Sequence, residues 1–412
     1  MALAAAAALA LAGGSAAGAA AAQASTSHGT RAADTGVRRA CAVTHQPGVM
    51  SCLALIRTGI RQRTAADFGN KAPAGVGYGP SSLISAYKLP KATKVLNVAV
   101  VDAYNDPDAV SDLATYRSSW GLAKCNKTTE AGCLTVTNQL GKTTGLPANS
   151  GTTGWATEES LDVDMVSAIC PTCHIFLVEA KNSDLVNLGT GVDNAVKVLH
   201  ADFVSNSYGG SQSKNDGSYD TKYYKHLGDA ITASAGDDGY GVSYPAASQY
   251  VTAVGGTSLT KAAGTTRGWK ETVWGSSGGG EGTGSGCANK YEPKPSWQKH
   301  TGCSQRIDND VAAVADPSTG VAIYDTYDQL GWLEVGGTSV SSPIIASVYA
   351  LADSLKAGTV PASYAYAHTG DLYDVTSGAN GTCSPAFLCH GETGYDGPTG
   401  LGTPDGVGAF KS

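Results

Sequence analysis

Between residues 95 and 256 the chain alternates short apolar runs with amphipathic stretches, and no other feature narrows its fold as far. The runs "VLNVAVVD" (95–102), "HIFLVEA" (174–180), "DFVSNS" (202–207), "AITASAGD" (230–237) and "YVTAVGG" (250–256) have the length of strands. The first two are close to continuously apolar, as strands covered on both faces are. Between them, "DAVSDLATYRSSWG" (108–121) and "LVNLGTGVDNAVKVLHA" (185–201) read as helices. Strands joined through helices run parallel, because the crossover returns the chain to the same edge of the sheet. The pattern therefore predicts an α/β fold, a mainly parallel central sheet with helices on both faces. Active sites on such sheets gather at the C-terminal ends of the strands.

At 412 residues, one large α/β domain with N-terminal extras fits better than two ordinary domains. Residues 1–24 form an Ala/Leu run closing on Ala22-Gln23-Ala24, the small-x-small form of a signal-peptide cleavage site, although a basic leading region is missing. Gly13, Gly14 and Gly18 argue against a stable membrane span there, and nothing later approaches the roughly 18 apolar residues a span needs. Ten cysteines at short spacings fit disulfides in an oxidising compartment, so a secreted, extracellular protein is expected. Local pairing is expected for Cys41 with Cys52, Cys125 with Cys133, Cys170 with Cys173, Cys287 with Cys303 and Cys383 with Cys389. Cys170-Pro171-Thr172-Cys173 also has the spacing of a redox site, but no thioredoxin-like βαβ pattern opens with it. Residues 25–77 are Ala/Ser/Thr-rich, then basic, and lack periodicity; they read as a short pro-segment or linker. With 28 basic and 35 acidic residues the net charge is -7, which gives nucleic acid and anionic membranes nothing to hold.

"EVGGTSVSSPIIASVYALAD" (334–353) sets a serine between a glycine turn and an apolar-striped helix. Taken alone, Gly336-Gly337-Thr338-Ser339 fits a nucleophile turn or a turn that only caps a buried helix. A serine hydroxyl needs a base and an oxyanion stabiliser to act. No histidine stands in a matching motif; "HGT" (28–30) precedes Asp102 at the end of "VAVVD", the reverse of the Asp, His, Ser order of subtilisin. "WATEESLDVDMVSAIC" (155–170) offers carboxylates instead. At about 100° per residue, Leu161, Asp162, Met165, Val166 and Ile169 all fall within about 80° of Glu158. Glu158 and Asp162 thus lie inside the apolar stripe, Glu159 sits at its margin, and Ser160, Asp164 and Ser167 form the polar face. Carboxylates on a core-facing stripe are costly unless partnered. A buried ion pair or a helix cap accounts for Glu158 or Glu159, and poorly for Asp162 one turn later. The run "GSSGGGEGTGSG" (275–286) reads by composition as a loop.

Glu-x-x-Leu-Asp at 158–162, "SAGDDG" at 234–239 and "GGTSVSSP" at 336–343, with "YGPSSLISAYKLP", "VSNSYGG", "SSGGGEG", "PSWQ" and "DNDVAAVADPSTG", resemble the ordered motifs of the sedolisins. These are secreted serine-carboxyl peptidases with a subtilisin-like fold, and the likeness covers about residues 78–412. It implies a peptidase domain over 78–412, with Ser339 as nucleophile, Glu158 as general base, Asp162 orienting Glu158, and Asp237 as oxyanion-hole acid. An acidic optimum follows, because Glu158 must be ionised while Asp237 is protonated. A protein or peptide substrate is expected to lie along Ser207, Tyr208 and Gly209 and the loop Gly278, Gly279 and Gly280. One calcium ion is implied in the C-terminal loops, held by Asp374 and Asp396 with main-chain oxygens of Val375, Glu392 and Gly394. A monomer is expected. Family members usually carry a long folded pro-domain, for which the stretch between residues 25 and 77 is too short. The rival readings are a Ser-His-Asp hydrolase and a non-catalytic secreted binding protein on the same fold.

Overall fold

The computed structural model describes residues 36–69, 71, 73–124, 134–275 and 278–412, all within the compact unit Gly36–Ser412. The expected signal peptide and the Cys125 and Cys133 pair fall outside these residues. The central sheet runs, in spatial order, Trp269–Val273, Thr252–Lys261, Ala230–Ser234, Phe203–Asn206, Asn97–Ala103, His174–Ala180 and Leu134–Asn138, with Val311–Val314 also paired to Thr252–Lys261. Every neighbouring pair is parallel except Trp269–Val273 against Thr252–Lys261. This is the mainly parallel α/β sheet that the alternation of runs predicts, in keeping with the fold that the resemblance implies. Val98, Val100, Ile175 and Leu177 point into one buried cluster, and Ala99, Val101, Val178 and Ala180 into another, so the sheet is covered on both faces.

Two helices cross one face and carry the site. Trp155–Ile169 and Thr338–Ala352 pack on each other, and the latter lies along strands Phe203–Asn206 and Ala230–Ser234. The first helix departs from the amphipathic reading: all fifteen residues are buried, including the expected polar face. Helix Ala109–Ser119 and strand Val321–Asp325 cover that face and supply partners to Asp164 and Ser167, while Ser160 donates to Asp106. The Tyr324 amide donates to Asp164 at 2.9 Å, Arg117 donates to Ser167 at 2.6 Å, and Thr157 donates to Asp325 at 2.7 Å.

Two other sequence readings change. Residues 36–57, expected as part of a pro-segment or linker, join the body: Leu55–Arg57 pairs with Gly331–Gly336, and Ser51–Cys52 pairs antiparallel with Tyr208–Gly209. Their pairing is long-range, and two- or three-residue strands are too short to leave a periodic trace. In the glycine run, Gly282–Cys287 is a strand rather than loop, paired in parallel with Asp238–Tyr240. A Cβ at Gly284 would lie 2.1 Å from the Ala235 carbonyl oxygen, so glycine is what lets this strand approach. The expected disulfides Cys41–Cys52, Cys170–Cys173, Cys287–Cys303 and Cys383–Cys389 are formed. No helix among the described residues is long and apolar enough to cross a membrane.

Candidate active site

Ser339 stands in the first turn of Thr338–Ala352, beyond the C-terminal ends of the parallel strands. Hydroxyls pin this helix to the sheet. Ser234 Oγ donates to the Thr338 carbonyl at 2.9 Å, Thr232 Oγ1 lies 2.9 Å from Ser342 Oγ, and Ser341 Oγ donates to Ala313 O at 3.1 Å. Gly337, at φ +95°, makes the turn into the helix. Ser339 is fully buried, and its Oγ donates to the Ser207 carbonyl at 3.3 Å. The histidines spend their described hydrogen bonds elsewhere: His226 and His368 on the carbonyls of Tyr223 and Tyr364, and His174 with Thr135.

Glu158, Asp162 and Asp102 form a buried carboxyl cluster beneath the serine. Burial pushes Glu158 well above the ordinary carboxylate range; Asp102 adds to this, while the Ser339 hydroxyl and the Ala54 amide oppose it. Asp162 is raised by burial, then by Asp102 and Glu158, against a 2.7 Å hydrogen bond donated by Ser207 Oγ. Asp102 is pushed up to about 8 by burial. Among the described residues, Glu158 Oε1, Asp162 Oδ2 and both Asp102 oxygens are buried without another hydrogen-bond partner, a state that protons shared among carboxyls relieve. Donors are unequally divided: Leu53 N and Ala54 N donate to Glu158 Oε2 at 2.9 and 2.8 Å, Asp162 has the single Ser207 donor, and Asp102 has none. The two backbone donors favour the ionised form of Glu158, against the burial that raises it. Asp102, at the end of the "VAVVD" run, was not among the expected site residues; only its place on the sheet brings it under Glu158.

Of the neighbouring aspartates, Asp237 turns inward and Asp238 outward, where it pairs with Arg39 at 2.5 Å. Asp237 Oδ1 accepts from both the amide and the hydroxyl of Thr338 at 2.8 Å, and Oδ2 is buried with no partner among the described residues. Burial raises this carboxyl to about 7 in spite of Thr338. A Cβ on Gly337 would meet Leu53 O at 1.9 Å and Asp237 Oδ2 at 2.7 Å, so a carbonyl and the free acid oxygen share that corner. The expected substrate strand is divided by side chain and main chain. The Ser207 and Tyr208 side chains are buried in the protein, Tyr208 donating to Asn206 at 2.8 Å, while the main chain of Tyr208 and Gly209 pairs with Cys52 and Ser51. Gly278, Gly279 and Gly280 are exposed, and Gly280 O lies 2.9 Å from where a Gly239 Cβ would stand.

The two C-terminal loops expected to hold calcium come together. Gly394 N donates to Asp374 at 2.8 Å, Glu392 N donates to Asp396 at 3.0 Å, and a Cβ on Gly391 would lie 2.9 Å from Val375 O. Two carboxylates and the Val375 carbonyl oxygen are the kind of donors a hard cation takes. No cluster of three or more His, Cys, Asp or Glu suited to a metal occurs among the described residues, so main-chain oxygens would supply much of any shell.

A parallel, doubly covered sheet with a serine at a helix N-terminus and acids at the strand ends defines the subtilisin-like class. Residues 131–367 match the model of the subtilase family, and the chain belongs to that family. It is 29% identical to kumamolisin of Bacillus sp. (strain MN-32), over 84% of this chain and 66% of that protein. It is 28% identical to sedolisin of Pseudomonas sp. (strain 101), over 80% of this chain and 60% of that protein. The chain thus spans less than two thirds of either relative's length. Among solved structures it resembles Pseudomonas sedolisin, a serine-carboxyl proteinase complexed with two molecules of pseudo-iodotyrostatin. The TM-score is 0.66 at 25% identity, covering 81% of this chain and 96% of that one.

Proposed function

We propose that this chain is a secreted, acid-acting serine-carboxyl peptidase that cuts peptide bonds through an acyl-enzyme on Ser339. Glu158 takes the Ser339 proton and returns it to the leaving amine, Asp162 holds Glu158, and protonated Asp237 donates to the oxyanion. The observation that carries this reading is the meeting of three buried groups from distant segments: Ser339, the donor-rich carboxyl Glu158, and Asp237 with one oxygen free. The substrate is taken as an extended strand on the edge Ser207 to Gly209, with Gly278 to Gly280 along the cleft. Calcium at Asp374, Asp396 and the carbonyls of Val375, Glu392 and Gly394 would tie the C-terminal loops together, a structural contribution. The test is hydrolysis of a denatured protein from pH 3 to pH 8. Activity is expected on the acidic side and to fall by roughly 10³-fold or more in Ser339→Ala; activity rising steadily to pH 8, or unaffected by the substitution, would sink the reading.

A further inference from the structure

Glu159 and Glu179 are fully buried acids to which the cleavage scheme above gives no part. Strand register brings them to the site. Strands Asn97–Ala103 and His174–Ala180 run parallel with Asp102 opposite Glu179. Both residues continue the alternation that sends Val98, Val100, Ile175 and Leu177 into the cluster shared with helix Trp155–Ile169. Glu159 comes from that helix. The Asp106 amide donates to Glu159 Oε2 at 3.0 Å and to Glu179 Oε1 at 3.2 Å, so two carboxyls converge on one N–H. Glu159 Oε1 is buried with no partner among the described residues. Two carboxyls at one site favour a single proton shared between them and a single negative charge.

The charges that bear most on this pair are acidic. Asp102 and Asp106 act on both glutamates, and Asp108, Asp112 and Asp325 act in turn on Asp106. Asp102 also acts on Glu158 and Asp162, so it is common to the acids beneath Ser339 and to the pair on the Asp106 amide. Burial raises Glu179 to about 9 and Glu159 well above the ordinary range, the direction expected of a pair that keeps its last proton. Burial raises Asp102 and Glu158 alike, so burial does not decide which of the two gives up a proton. Their neighbours differ: Glu158 has two amide donors, whereas Asp102 has no donor and lies opposite one of the paired glutamates.

We propose that Glu159 and Glu179 are positioning residues for the same reaction: sharing one proton over the Asp106 amide, they carry a negative charge that keeps Asp102 protonated, so that Glu158 is the acid free to ionise as the base. This rests on the peptidase reading above. Initial rates on acid-denatured haemoglobin, well below saturation, are measured from pH 2 to pH 8. In Glu159→Gln and Glu179→Gln the acid limb is expected to move to higher pH by roughly half a pH unit or more, about a threefold loss at a fixed pH on the limb, because Asp102 then ionises ahead of Glu158. A variant that is only less folded loses rate at every pH without moving the limb. Asp102→Asn, whatever it does to the rate, is expected to leave the limb in place and, combined with Glu179→Gln, to bring the shifted limb back. A limb that stays put in both glutamine variants, or stays shifted in the Asp102→Asn background, overturns the inference while the peptidase reading stands. Should the glutamine variants not fold, Asp102→Asn decides alone: a limb displaced to lower pH means that Asp102 is charged where the enzyme works, which also overturns it. A wild-type chain that hydrolyses no haemoglobin at any pH overturns both.

Discussion

Asp237 accepts both Thr338 hydrogen bonds on one oxygen and keeps the other free in a buried corner. With its carboxyl raised to about 7, it holds its proton below that pH and loses it above. An ionised Asp237 would repel the oxyanion, so activity should fall as pH rises through about 7. Asp237→Asn supplies an amide donor that needs no proton, and the expected result is a flattened alkaline limb of the pH–rate profile; an unchanged limb would remove Asp237 from this position. In "SAGDDG" Asp237 and Asp238 are adjacent and chemically identical. Their difference in burial comes from the strand beginning at Asp238 and from the helix N-terminus at Thr338, which lies about a hundred residues further along.

At the scale of elements, helix Trp155–Ile169 stands out because it is buried all round yet carries two glutamates and two aspartates. Its apolar stripe was legible from periodicity, and so was the misfit of Glu158 and Asp162 on it. Its second face was not, because periodicity shows where apolar residues recur and not what covers the polar ones. Asp164 illustrates the difference: it accepts from the Tyr324 amide of a strand 160 positions away. Asp164→Ala leaves that amide buried and unpaired, so a loss of about 1–3 kcal/mol in denaturant unfolding is expected. A change well under that range would mean the amide finds water. The C-terminal loops form a second such unit; if calcium ties them, chelation should lower the melting temperature with or without substrate present, and an unchanged melting temperature would argue against the ion.

The whole molecule holds many carboxyls away from water. Burial first of all raises Asp106 to about 7 and Asp308 to about 7, as it raises Asp102 to about 8. Each binds its proton more tightly folded than unfolded, where an aspartate titrates near ~4. Their contribution is therefore fully present below that value and is lost as pH rises from about 4 toward 8. Thermal unfolding followed from pH 3 to pH 8 should give melting temperatures that decline across this window; a maximum near neutrality would contradict it. The sequence by itself determined the parallel sheet and four local disulfides, and offered Ser339, Glu158, Asp162 and Asp237 as candidates, because period, spacing and residue type are local properties of the chain. Only the tertiary structure decided which acids share a buried cluster, which aspartate turns toward the serine, and that residues 36–57 join the body, since burial and long-range pairing arise when distant segments pack.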